Sequence, residues 1–587
     1  MALSPPTLLC LTTPPSEIKA EKSEIVRPVA QFPPSAWGHF FVDYVQDTEK
    51  LDEWAERAQV LKEEVKLILR NIAQEAPNTH ELFLVDVVKR VGVGHQFEDE
   101  IEEALYRIYK ADHDHVKNID HNEGGDDDLY HVALRFRLLR EGGYKASADV
   151  LEKFKDEQGK KFKESLIKDV KGLLSLYEAA FLGIQGEDIL DEAIGFASVH
   201  LNSSLPNILD PLLAKQVQRA LELPTHKRLP RTNARYFISL YEEIIEAMKS
   251  VFDPETHENM HKLLEYAKLD FNLVQAVHQR EIKDVSRWWK EKGLAEKLSY
   301  ARNRVVECYV WVMSLAPEPR FSRSRVFGAK TLSMISLTDD TYDAYGVYVE
   351  LKQYTDAIER WDLAAMDELP EYVKPLYLEL ITFFKDTEEA LEKEGSSYQI
   401  SYMKRAVQDL CRAYFTEAEW YHNRYTPGIE EHIRVSLISC GYPAVVLLTM
   451  VCMKEASIKA FEWWSSEPRI VVAAAEVCRF IDDLVTNEFE QGREHVVSLI
   501  ECYMEEKGMT RPEVQYLFKH LYDVAWKDIN EACLHPRPFP MYILNKAVNL
   551  ARVIDAWYNS HNADEYTFSG GRTKEMITEL LVNPIPV

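Results

Sequence analysis

Glycine is scarce in this chain, 22 of 587 residues, about 4% against an average of ~7%. That scarcity argues against the glycine-rich phosphate loops of doubly wound α/β folds and against turn-dense β-sandwiches. No apolar run approaches the ~18 residues that a membrane-spanning helix requires, so no span is expected. The eight cysteines, Cys10, Cys308, Cys411, Cys440, Cys452, Cys478, Cys502 and Cys533, form no CxxC and no zinc spacing. They read as buried thiols in a reducing compartment. Basic residues are in deficit, 69 Lys and Arg against 96 Asp and Glu, for a net charge of −27. So acidic a surface repels nucleic acid and anionic membranes, and neither is expected as a partner. Residues 1–20 carry Pro5, Pro6, Pro14 and Pro15 but no basic n-region and no Ser/Arg-rich character. A secretory or plastid leader is therefore not expected, and a cytoplasmic location is.

What is abundant is Leu, Glu, Ala and Lys in stretches of period 3.6, over a length that can bury two or more large cores. The expected fold is all-α. Residues 1–35 are Pro-rich and expected to be mobile or extended, and helical patterning begins at Trp37. Breaks fall at His121–Asp128, at Leu223-Pro224 through Leu229-Pro230, and at Val251–Glu255. A domain boundary is placed near residue 254, dividing 36–254 from 255–587.

Two acidic stripes carry the chemistry. Asp339 and Asp343 are i,i+4, on one helix face ~6 Å apart along the axis. They emerge from the apolar Ser333–Leu337, which a solvated helix face does not normally do. Asp482, Thr486 and Glu490 are i, i+4, i+8, a stripe ~12 Å long that follows the apolar Ile470–Ala475. Oxygen ligands on two helices suit hard divalent cations. Mg²⁺ in particular takes one or two carboxylates and fills its shell with water and phosphate oxygens. A diphosphate held through metal ions is the expected ligand. Because the chain is so acidic, bound Mg²⁺ and a few arginines must reverse the potential locally. Arg302 and Arg304, and Arg479 at i,i+3 to Asp482, are the candidates, since a guanidinium stays charged and binds phosphate in a bidentate manner. Trp311, Tyr558 and Tyr566 are candidate ring faces for a cation.

These residues occur with longer matches that resemble the plant class I terpene synthases, most closely the angiosperm sesquiterpene synthases. The matches are Arg27-Pro28 followed by Trp37, the run Asp127–Arg140, Val285–Trp289, the Arg302/Arg304 pair, DDxxD at Asp339–Asp343, the second acidic motif and Ala525–Asn530. The resemblance implies an N-terminal helical barrel without catalysis of its own, a C-terminal catalytic bundle, and the Arg27 segment as a lid. It implies three Mg²⁺ ions, with Mn²⁺ as a substitute, on Asp339, Asp343, Asp482, Thr486 and Glu490. Asp340 would act through its neighbours more than as a direct ligand. Arg302, Arg304 and Arg479 would hold the diphosphate, Tyr558 and Asp564 would lie on a closing loop, and Trp311 and Tyr566 would line the pocket. The implied reaction is ionisation and cyclisation of farnesyl diphosphate, with geranyl diphosphate and a monoterpene product as the alternative; a monomer is the default expectation. Asn303 stands where the family often has Asp, and the Tyr558–Asp564 loop is one residue longer than in some relatives. A DxDD motif for protonation-initiated cyclisation is absent. Ile438–Pro443, with Cys440 and Gly441, reads as a helix break. It either frees carbonyls toward the cation or is a simple kink.

Overall fold

The computed structural model describes residues 27, 30–72, 79–117, 128–247, 249, 253–491, 497–559 and 563–587; the side chains of residues 79, 112–117, 488–491 and 559 are not described. The segment before Arg27, the His121–Asp127 break and Val251–Phe252 thus lie outside the described residues. Among the described residues the chain is helices and turns with no strand, only an isolated bridge between Lys155 and Phe162. The all-α expectation holds. No described helix is long and apolar enough to cross a membrane.

The longest helix, Pro254–Lys292, has 39 residues and is ~58 Å long. Its ends are written in the sequence. The Asp253 carboxylate accepts from the backbone N–H groups of Glu255 and Thr256, and Pro254 occupies the first turn, where its missing N–H costs nothing. Gly293 closes the helix at φ +61°, a left-handed conformation that glycine adopts without strain.

This helix packs against Thr48–Ile72 and Pro230–Ala247 from the first half of the chain. It also packs against Val305–Leu315, Ser322–Ala344 and Arg572–Leu581 from the second. One apolar core therefore runs continuously from Trp37 to Ile585. Polar ties cross it. Arg325 and Glu281 form a bidentate pair at 2.7 Å, and Tyr309 donates to the same carboxylate at 2.8 Å. Asn272, Gln275 and Gln279 reach backbone groups of Ile585, Leu580 and Leu581, which fastens the C-terminal segment along the long helix.

In the second half, Val305–Leu315, Ser322–Ala344, Tyr398–Asn423, Tyr442–Leu448, Arg469–Gln491 and Met541–Ile554 pack side by side. Val305–Leu315 is buried at every residue, as a sequence apolar but for Glu307 and Ser314 requires, and those two are hydrogen-bonded to Ser569 and to the Val310 carbonyl. Between these helices lies the cavity that holds the acidic stripes.

Candidate active site

Leu332, Ile335, Ser336, Asp339 and Asp343 form one stripe of the Ser322–Ala344 helix, and all five line a cavity of about 250 Å³. Cys478, Arg479, Asp482 and Thr486 of the Arg469–Gln491 helix line the same cavity. The two acidic stripes thus face one space. Glu490 lies in that helix too, but its side chain is outside the described residues.

Arg302 donates to Asp339 at 2.6 Å and pairs with Asp340 at 2.8 Å. Asp340 is 1% exposed and also accepts the Arg302 backbone N–H at 2.7 Å, so it fixes both the main chain and the guanidinium of Arg302. Against the cost of burial, Asp340 and then Asp339 hold Arg302 protonated well beyond the ordinary guanidinium range. The second stripe repeats the device. Arg479 donates to Asp482 at 2.5 Å and pairs with the buried Asp483, which also accepts the Leu499 backbone N–H. Burial carries the Asp483 carboxyl up to about 6, with Arg479 opposing. The Thr486 hydroxyl donates to the Asp482 carbonyl at 2.9 Å, which leaves its lone pairs for a cation.

Burial, and after it the Asp343 carboxylate, pushes the Asp339 carboxyl up to about 8. Two carboxylates facing one cavity cannot both ionise cheaply unless positive charge joins them. Among the described residues no three His, Cys, Asp or Glu side chains close around a single metal position. The oxygen donor set is suited to a hard divalent cation. The folded pKa of Asp339 lies above its unfolded value of ~3.9, so ionising it costs the fold stability, and metal-free protein is expected to lose stability as pH rises from ~4 through about 8. Metal binding displaces that proton, so Mg²⁺ should bind with proton release and more tightly as pH rises toward about 8. Titration calorimetry in two buffers of different ionisation enthalpy reads this directly, and equal heats in both would count against it.

The inner part of the cavity is apolar and aromatic. Trp311, Leu332, Ile335, Val445, Ile554 and Tyr566 line it. Tyr566 meets Trp311 edge-on, with ring centroids 5.5 Å apart. Its hydroxyl is tied to Ser336 at 2.8 Å and to the Cys308 sulfur at 3.4 Å. Tyr558 lies on the single π-helical turn Asp555–Asn559. Asp564 accepts the backbone N–H groups of Tyr566 and Thr567, a turn that presents both to the cavity. Cys440 and Gly441 line the wall where the Ile429–Ser439 helix stops and Tyr442–Leu448 begins. Pro443 has no N–H, so the Ser439 carbonyl loses its helical partner. Gly441 sits at φ +80° with nothing within 4 Å of an added Cβ. Gly441→Ala is therefore expected to cost about 1–2 kcal/mol through the backbone alone, read as a lowered thermal midpoint.

Arg304 is placed differently from the sequence expectation. It does not line the cavity. Its buried guanidinium is surrounded by the carbonyls of Asn303, Tyr566, Thr567 and Pro33. It joins the N-terminal segment to the loop after Asp564. Sequence reasoning also missed several lining residues. Ser336 and Cys478 were legible, being three and four residues before Asp339 and Asp482 on the same helix faces. Tyr414, Glu417 and His432 come from two other helices, and Phe32 reaches within 5.2 Å of the Arg302 guanidinium from the N-terminal segment. No local pattern marks these four.

An all-helical body holding a cavity lined by acidic, arginine-backed stripes together with apolar and ring side chains is suited to a ligand with an anionic and an apolar part. The comparisons agree. Residues 290–528 match the model of the terpene synthase family, metal binding domain, and residues 36–221 that of the terpene synthase N-terminal domain. The chain belongs to the terpene synthase family. It is 44% identical over 574 residues to sesquiterpene synthase TPS2 of Cananga odorata, 97% of each chain. The crystal structure of limonene synthase with 2-fluorolinalyl diphosphate superposes with a TM-score of 0.86 at 31% identity, covering 96% of this chain and all of that one. Isoprene synthase of Populus x canescens in complex with three Mg²⁺ ions and dimethylallyl-S-thiolodiphosphate superposes at 0.79 and 31% identity, covering 93% and 99%.

Proposed function

We propose that the protein is a sesquiterpene synthase that ionises farnesyl diphosphate and cyclises the cation to a C15 hydrocarbon or alcohol, releasing diphosphate. The observation that carries this reading is that one cavity is lined by acidic stripes with their arginines and by apolar and ring side chains, the Ser322–Ala344 helix passing from Leu332 and Ile335 to Asp339 and Asp343 along it. The higher identity to the Cananga sesquiterpene synthase than to limonene synthase favours the C15 substrate. Asp339 and Asp343, with Asp482, Thr486 and Glu490, would hold three Mg²⁺ ions, with Mn²⁺ as a substitute. The three ions in the isoprene synthase complex support that number.

Bound divalent cations supply the Lewis-acid charge that a departing diphosphate needs. Arg302 and Arg479, already aimed by carboxylates on their own side of the cavity, donate to the diphosphate oxygens as charge builds on them. Trp311, Tyr558 and Tyr566 offer ring faces to the carbocation, each worth ~0.5–2 kcal/mol. The Tyr566 hydroxyl is occupied by Ser336 and Cys308 and so is withheld from the cation. The Ser439 carbonyl and the wall at Cys440 and Gly441 add a fixed dipole. Asp564 and Tyr558 shape the loop that shuts out water, and a dry pocket keeps the cation from early capture.

Residues 255–587 form the catalytic domain in this reading, 36–254 its helical support and 1–35 the lid, in a cytoplasmic monomer. The lid has an anchor. Arg27 makes a bidentate pair with Glu350 at 2.6 and 2.8 Å and lies in the corner formed by the edge-on rings of Tyr345 and Tyr372, 4.8 Å from each centroid. Glu350→Ala is expected to lower kcat about tenfold and raise the share of alcohol product, because a loose lid admits water. Unchanged product ratios would remove the lid role.

The deciding experiment is gas chromatography–mass spectrometry of products from farnesyl and geranyl diphosphate, with and without Mg²⁺. A C15 product from farnesyl diphosphate only with Mg²⁺ is expected. Turnover of geranyl diphosphate alone would replace the reading with monoterpene synthesis.

A further inference from the structure

A second cavity, about 310 Å³, lies far from the acidic stripes in sequence and in lining. It sits where the Thr79–Arg90, Leu129–Glu141 and Pro230–Ala247 helices meet the Met541–Ile554 helix. Six cationic side chains line it, Lys89, Arg90, Arg137, Arg140, Arg228 and Arg552, against two carboxylates, Asp86 and Glu141. In a chain of net charge −27, a buried excess of cations needs a cause.

The pairing inside shows where the excess resides. Asp86 is taken by Arg90 at 2.8 Å and Arg137 at 2.5 Å. Glu141 is taken by Lys89 at 2.6 Å and again by Arg137 at 2.9 Å. Behind the lining, Glu187 pairs with Arg140, and Glu178 receives the Thr225 N–H and hydroxyl. Those four carboxylates leave Arg228 and Arg552 without a close ion pair, with Glu222 near the first and Glu141 and Asp555 acting on the second from farther off. Arg228 donates to the carbonyls of Leu223 and Arg219, and its only ion-pair partner among the described residues is Glu222, 3.9 Å away and 59% exposed. Arg552 has no ion-pair partner among the described residues; it donates to the His226 carbonyl and to Asn549. Burial holds the Arg552 guanidinium below its ordinary range, and burial with Arg552 beside it holds His226 neutral, down to about 3. One buried donor here has no partner at all, Nη1 of Arg140, whose side chain is 1% exposed. Buried polar groups are satisfied in nearly all folded proteins, and an orphan beside uncompensated cations marks the place of an unseen anion or water.

We infer that this cavity binds a small phosphate-class oxyanion, inorganic phosphate or diphosphate, between Arg552 of the second half of the chain and Arg140 and Arg228 of the first. A tetrahedral oxyanion offers several acceptors to forked guanidinium donors, which a single chloride cannot do. Lys89, Arg90 and Arg137 keep their carboxylates and frame the site. Since its arginines come from both halves, occupancy ties the halves together and stabilises the fold by mass action.

The test uses the full chain with metal removed by chelation, so that metal-dependent capture of the anion at the acidic stripes is silent. Inorganic phosphate and inorganic diphosphate are titrated separately, by calorimetry and by thermal shift, with sodium chloride at matched ionic strength as the reference. Saturable binding at one site and a thermal midpoint raised by several degrees are expected from at least one of the two. Arg552→Gln and Arg228→Gln should each lose most of that shift while keeping the helical circular dichroism. Arg479→Gln, at the other cavity, should keep it. The inference is overturned by no saturable response of the wild type at millimolar anion, by an equal response to chloride, or by loss of the shift in Arg479→Gln. Because Arg552 also holds the His226 carbonyl, Arg228→Gln serves where Arg552→Gln does not fold, and a wild-type shift in Arg228→Gln likewise overturns the site.

Discussion

Asp339→Ala is expected to lower metal-dependent kcat by ~10²–10³-fold or more, the scale on which loss of one preorganised electrostatic partner acts. Asp339 faces the cavity beside Asp343, which is what a cation-binding pair requires. The substitution leaves Arg302 in place, since Asp340 still accepts its backbone N–H at 2.7 Å and Thr567 its guanidinium at 3.2 Å. The variant therefore separates loss of metal from loss of arginine. Its activity should recover in part at high Mg²⁺, and its fold should be intact by circular dichroism. Asp340→Asn is the contrasting variant. It removes the charge that pairs with Arg302 at 2.8 Å while keeping Asp339 and Asp343, so its loss should not respond to added Mg²⁺. Retention of turnover by Asp339→Ala within a few-fold of wild type would remove the acidic stripe from the chemistry.

The largest expected effect on stability is at Glu281. Its carboxylate is 4% exposed and accepts both Arg325 nitrogens and the Tyr309 hydroxyl. Arg325 is itself fully buried, with its remaining nitrogen on the carbonyls of Ala316 and Glu318. Glu281→Ala leaves that guanidinium buried without an anion, which costs about 3–5 kcal/mol. A large drop in thermal midpoint or a short half-life on warming is the expected readout. The double variant Glu281→Leu/Arg325→Met should regain most of it, because both charges are then gone from the interior. A single variant as stable as wild type would mean that water reaches the pair.

The helix ends and acidic stripes were legible because their signals are local. Asp253-Pro254 and Gly293 state where the long helix starts and stops, and a spacing of four states that Asp339 and Asp343 share a face. The surroundings of Arg304 were not legible, for the opposite reason. Nothing in Arg302-Asn303-Arg304 distinguishes the guanidinium that faces the cavity from the one that collects carbonyls of Pro33, Tyr566 and Thr567, residues 262 to 271 positions away. Tyr414, Glu417 and His432 entered the cavity from helices whose own patterns read as ordinary.

The sequence by itself determined the all-helical class, the two acidic stripes and the arginine beside each, since periodicity and composition act over a few turns of one helix. Only the tertiary structure decided that both stripes face one space, that Arg304 is a tie between chain segments, and that Arg140, Arg228 and Arg552 meet in a second cavity. Each of those depends on contacts between residues hundreds of positions apart, and these are fixed by how helix faces bury against one another and not by spacing along the chain.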